Sequence, residues 1–180
     1  MKKIEVRISG LGGQGVVLAG QILGRAAIYD GKNAVQTQSY GAEARGSAAK
    51  SEVIVSDGKI GFPMVRKCDI LIAMSQGAVE KNIKDLKEDG ILLVDSSTVE
   101  RMPETKARVA KIPATQIAQK STGERLYANM VMLGVLIKMT DILDEKSVEK
   151  AIIATVPRRV MDVNIQAYRK GMEFSTTFKA

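Results

Sequence analysis

The stretch Gly10-Leu11-Gly12-Gly13-Gln14-Gly15 constrains this chain more than any other, because it sits between a strand pattern and a helix pattern. Ile4, Val6 and Ile8 alternate with Glu5, Arg7 and Ser9, the period of a half-buried strand. Val16 to Ile28 is apolar at helical spacing and free of proline, so a helix packed on a sheet is expected there. Strand, glycine turn and helix in that order open an α/β fold. Gly10, Gly12 and Gly15 keep the GxGxxG spacing, in which glycines allow positive φ, admit a ligand close to the backbone and bring helix and strand together. The amides that open the helix would face an anion.

Two readings of the spacing stay open. Any α/β protein needs a turn at this point, so the loop can be purely structural. A dinucleotide site needs in addition an acid about 20 residues on, at the end of the second strand, to hold the ribose. That strand is expected at Ala34-Val35-Gln36-Thr37, and it ends in Gln38 and Ser39. Asp30 precedes it and Glu43 follows it by several residues, so the pattern argues against NAD.

The residue types that are missing narrow the chemistry. The 180 residues include no histidine and a single cysteine, Cys68, so no spacing can hold zinc, an iron–sulfur cluster or a disulfide, and no metal site is expected. Cys68 lies beside the apolar run Asp69 to Met74 and reads as a buried, inert thiol with no histidine to activate it. No catalytic residue is assigned. The net charge of +7 is spread along the chain: Lys81, Lys84 and Lys87 are expected on one helix face, and Lys106, Arg108 and Lys111 on and beside a strand. With no tryptophan and few other aromatics there is no stacking platform for nucleic acid. Glu5 and Arg7 interrupt any export signal, and Leu126 to Met139 is too short to span a membrane, so a cytoplasmic protein is expected.

Strand and helix patterns alternate along the rest. Ser51 to Val55 reads as a strand closed by Ser56-Asp57-Gly58, and Asp69 to Met74 as another. Gln76 to Leu86 reads as a surface helix ended by Gly90, followed by the apolar strand Ile91 to Val94 with Asp95 at its carboxyl end. Ala107 to Ala110 is a further strand, and a helix runs from Pro113 to Gln119. Leu126 to Met139 reads as a buried helix with Leu126, Met130, Leu133 and Ile137 on one stripe. Gly134 inside it costs about 1 kcal/mol against alanine, which close helix contact would offset. The fold class is α/β: a Rossmann-like, open, mostly parallel sheet with helices on both faces and a helical C-terminal region, in one domain over residues 1–180.

A second stretch, Gln38 to Ser47, follows a strand and is expected as a loop at the carboxyl edge of the sheet, where ligands of open α/β sheets collect. Its Gln38, Ser39, Tyr40, Glu43 and Arg45 read as a contact surface, since Tyr and Arg are favoured at interfaces. The bland alternative is a surface loop with a local Glu43 to Arg45 pair.

Gly10 to Val16, Gln38 to Gly46, Asn129 to Leu136, Val156-Pro157 and Asn164 to Tyr168 together resemble the gamma subunit of 2-oxoacid:ferredoxin oxidoreductases, nearly end to end. The resemblance implies an enzyme that decarboxylates a 2-oxoacid, passes electrons to ferredoxin and forms an acyl-coenzyme A, with 2-oxoglutarate ahead of pyruvate or a branched-chain oxoacid. It implies thiamine diphosphate, Mg and iron–sulfur clusters on alpha, beta and ferredoxin-like delta partner subunits, and no cofactor on this chain. Gly10, Gly12, Gly13, Gln14 and Gly15 stay candidates for an anion or coenzyme A. A free-standing nucleotide-binding dehydrogenase and a ligand-free scaffold module are the competing readings.

Overall fold

The computed structural model describes residues 2–42 and 46–174. Its centre is the first strand, β1 (Lys3–Leu11), in which Val6 and Ile8 turn to one side of the sheet and Arg7 and Ser9 to the other, all four buried. The remaining strands are β2 (Asn33–Tyr40), β3 (Ala48–Ser56), β4 (Cys68–Ala73), β5 (Leu86–Asp95) and β6 (Arg108–Ile112). They lie in the order β2-β3-β1-β4-β5-β6. β1, β4, β5 and β6 pair in parallel, whereas β3 runs antiparallel to both β1 and β2. Among the described residues the sheet is open and five of its six strands point the same way, as expected of the class; the hairpin that inserts β3 between β2 and β1 is a feature the alternation did not announce.

The helices are α1 (Val16–Tyr29), α2 (Gln76–Asn82), α3 (Ala114–Thr122), α4 (Ala128–Thr140), α5 (Glu145–Thr155) and α6 (Met161–Glu173). Both faces of the sheet carry helices, unequally: α1 and α3 to α6 share the core built on Val6, Ile8, Val53 and Ile72, while among the described helices only α2 packs on the face of Ile54, Leu71 and Leu92. Every residue of α4 from Ala128 to Ile137 is buried, so it has no one-sided stripe. Leu126, expected on that stripe, lies instead in a preceding 3₁₀ turn, Arg125–Tyr127, and is 54% exposed. Gly134 does mark a close crossing: a Cβ there would lie 2.1 Å from Tyr168 O on α6, and one at Gly171 would lie 2.1 Å from Val131 O. Among the described residues no helix is long and apolar enough to cross a membrane.

Three local expectations need correction. Gly90 does not end a helix; α2 stops at Asn82, a 3₁₀ turn (Ile83–Asp85) follows, and Gly90 lies inside β5. It sits where the pairing with β4 slips between Cys68 and Ile70, and a Cβ would meet Asp69 O at 2.9 Å, so the two backbones approach too closely for a side chain. Lys81, Lys84 and Lys87 therefore share no helix face, and Lys87 on β5 donates to Asp69 at 2.6 Å, which raises the lysine's pKa. Gln38, Ser39 and Tyr40 are not loop but the end of β2, because pairing with β3 continues to Tyr40 opposite Ala49.

Candidate functional site

β1 enters the glycine loop with Gly10 and Leu11 still paired to Ala49 and Ala48. Gly12 N–H then donates to Ser47 O at 2.8 Å, and Gln14 N–H closes the turn on Leu11 O at 3.1 Å. The Gln14 carboxamide locks it from inside: Oε1 accepts from Leu11 N–H at 2.6 Å and Nε2 donates to Met74 O, just past β4, at 2.7 Å. The loop is thus tied to two neighbouring strand ends, β3 through Ser47 and β4 through Met74. Leu11, Gly12 and Gly13 remain exposed beyond that brace.

Gly15 caps α1 in the left-handed region at φ 70°. A Cβ here would also fall 2.3 Å from Nδ2 of Asn129, which donates to Gly15 O at 3.1 Å. Asn129 is buried at the start of a helix that is apolar from Met130 to Ile137, and its amide is the link between α4 and the loop. Gly15→Ala is expected to cost about 2 kcal/mol or more, from backbone strain together with the Asn129 clash. Adding Asn129→Ala should recover only part of it, since the strain persists; a urea series on the single and double variants measures this, and an unchanged Gly15→Ala midpoint refutes the brace.

α1 starts with no side-chain cap and no acid in its first turn, whereas α2 is capped by Ser75 and α5 by Asp144. Its first amides are left to a ligand or water, although α1 is not alone in this, since α6 also starts without a side-chain cap. Beside them lies a cavity of about 170 Å³, lined mainly by apolar groups, to which Gly15, Asn129, Val156, Pro157 and Asn164 all contribute. Segments more than a hundred residues apart along the chain meet there. That convergence, and Asn129 as the brace, were missed from sequence; the one signal available was an asparagine inside an apolar run.

Tyr40 is 61% exposed at the end of β2, with Gln38 and Ser39 also exposed. Glu43 and Arg45 lie outside the described residues. The dinucleotide reading of the glycine spacing fails on topology as well as on the missing acid: β2 is separated from β1 by β3, so its end is not the ribose position beside the loop. Asp95, buried at the end of β5, accepts from Ser97 N–H at 3.0 Å and from Thr115 N–H at 3.2 Å, so it serves the start of α3. Cys68 is fully buried, and desolvation pushes its thiol up to about 11, against the pull of Arg7. It stays protonated and unreactive near neutral pH.

Residues 5–174 match the model of the pyruvate ferredoxin/flavodoxin oxidoreductase family. The chain belongs to that family. A family relative, the 2-oxoglutarate synthase subunit KorC of Methanocaldococcus jannaschii, is 52% identical over 94% of this chain and 92% of its own length. The pyruvate synthase subunit PorC of Methanothermobacter marburgensis is 34% identical over 94% of this chain and 96% of its own. The crystal structure of a keto/oxoacid ferredoxin oxidoreductase gamma subunit from Geobacter sulfurreducens PCA superposes with a TM-score of 0.84 at 44% identity, covering 94% of this chain and 96% of that one. These oxidoreductase relatives are named as subunits, so partner subunits are implied for this family member.

Proposed function

We propose that this chain is the gamma subunit of an oxidoreductase that decarboxylates 2-oxoglutarate, forms the acyl-coenzyme A and hands electrons to ferredoxin. The observation that carries the reading is the near full-length identity of 52% to a 2-oxoglutarate synthase subunit, against 34% to a pyruvate synthase subunit. The chain acts in the cytoplasm as one domain with alpha, beta and ferredoxin-like delta partners, which hold thiamine diphosphate, Mg and the iron–sulfur clusters. In support, a cluster takes four thiolate or imidazole ligands, and this chain has one cysteine, buried, and no histidine. Gly10, Gly12, Gly13, Gln14 and Gly15 present the uncapped start of α1 to an anion, with coenzyme A as the candidate, and Gln38 to Tyr40 with Glu43 and Arg45 contact a partner.

The test is co-expression with the thiamine-binding and cluster-bearing chains, followed by oxoacid- and coenzyme A-dependent reduction of a viologen dye. A complex that prefers 2-oxoglutarate is expected; one that prefers pyruvate, or no complex, overturns the reading. Tyr40→Ala with Arg45→Ala should weaken assembly by about thirtyfold, the usual scale for losing a central anchor, while leaving this chain's own melting temperature unchanged. A double variant that assembles fully but has lost turnover would move the stretch from contact to chemistry.

A further inference from the structure

Among the described residues β2 has a neighbour on one side only, and none of its eight residues is buried. Which of its backbone groups are open follows from the register. Gly41 N–H donates to Ala48 O at 2.7 Å, one step beyond the pair Tyr40 and Ala49. Residues that exchange hydrogen bonds alternate along an antiparallel ladder, so Val35, Thr37 and Ser39 bond to β3, while Ala34, Gln36 and Gln38 turn N–H and C=O outward. The strand carries no charge and no proline, whereas the opposite edge, β6, carries Arg108 and Lys111. Free edges in folded proteins are normally guarded by such residues or covered by another element, and an edge with neither is a template for a further strand.

Beside this edge runs a groove of about 660 Å³ between β2, α1 and the end of α5, lined by Ala34 and Gln36, by Gly24, Ile28 and Tyr29, and by Arg25. Ile28 and Ile153 are half exposed in its neighbourhood. A strand edge flanked by a groove for alternate side chains is the arrangement that binds extended segments. Its charge selects the occupant. Arg25 donates to Ala154 O and Lys150 lies over the Tyr29 ring, and neither has an ion pair among the described residues; Asp30, the nearby acid, is taken by Lys32. A second copy would bring the same cations and another +7.

We infer that the edge of β2 and its groove receive an extended, acidic strand from a non-identical subunit, which becomes the seventh strand of the sheet. The inference rests on the gamma-subunit reading and names where such a partner docks. It is tested by single-residue amide exchange on the isolated chain and on the assembled oxidoreductase. Ala34, Gln36 and Gln38 amides should exchange at least about tenfold more slowly in the complex, while Val35 and Thr37 are protected in both. Arg25→Glu with Lys150→Glu, or Lys150→Glu alone, should reduce subunit retention about tenfold or more; Lys111→Glu with Lys120→Glu, the same charge change elsewhere, should not. An assembled complex whose edge amides exchange at the isolated-chain rate refutes the docking and leaves the gamma-subunit reading standing. An isolated chain that sediments as a dimer with those amides protected gives the edge to a second copy and also refutes it. Failure to form any complex removes the gamma-subunit reading itself.

Discussion

Replacing Gly134 by alanine is expected to destabilise the protein by about 3 kcal/mol, although alanine is the better helix former by about 1 kcal/mol. The added methyl would lie 2.1 Å from Tyr168 O, 2.8 Å from Met172 N and 2.9 Å from Gly171 Cα, all backbone atoms of α6. No rotamer change relieves such a contact; α6 has to move off α4, and Tyr168 and Ala167, both buried, move with it. Gly77 is the internal control, a helical glycine on α2 with nothing among the described residues within 4 Å of its missing Cβ. Gly77→Ala should stabilise by up to about 1 kcal/mol. Urea midpoints of the two variants should therefore shift in opposite directions, and equal shifts would show that propensity, not the helix crossing, governs Gly134.

The second large effect is expected at Arg7, whose guanidinium is 3% exposed on the face covered by α2. Nε donates to Glu52 at 2.8 Å, Nη1 to Asp85 at 2.6 Å and Nη2 to Val65 O at 3.2 Å. Burial works against its charge, but the bonds to Asp85 and Glu52 prevail and hold its pKa above the usual value. Arg7→Met fits the space, leaves Asp85 without its cation and leaves Glu52 only the Lys50 ammonium at 3.3 Å, a change that costs about 3 to 5 kcal/mol when the partners are fully buried. Glu52 and Asp85 keep 13% and 35% of their side-chain surface, so rehydration places the expected loss near about 3 kcal/mol. Arg7→Met with Glu52→Gln should recover part of it. A loss below about 1 kcal/mol in equilibrium unfolding would mean that the network is solvated and contributes little.

How much of this was legible in the chain depends on how far apart the interacting residues are. The strand, glycine turn and helix from Ile4 to Ile28 could be read because each signal is local: alternation over six residues, glycine where φ must be positive, and an apolar helical run. The inertness of Cys68 and the close contact at Gly134 were also legible, since each follows from one residue type set in an apolar context. The family resemblance was legible for a related reason: short motifs such as Gly10 to Val16 keep their order whatever the tertiary detail.

The antiparallel insertion of β3 was not legible, because Ser51 to Val55 alternates in the same way whether it pairs in parallel or not; the short connection from β2 and the packing under α1 decided its direction. Nor could the chain announce that Gln14 would hold Met74 O, 60 residues on, that Asn129 would brace Gly15, 114 residues back, or that Arg7 would find Asp85 at a separation of 78. By itself the sequence determined which segments bury an apolar face and where the backbone needs glycine, both properties of single residues and their near neighbours. Which distant polar groups satisfy each other inside the core was decided only by the tertiary structure. A buried donor takes whichever acceptor the packing brings within hydrogen-bond distance, and that packing belongs to the whole sheet.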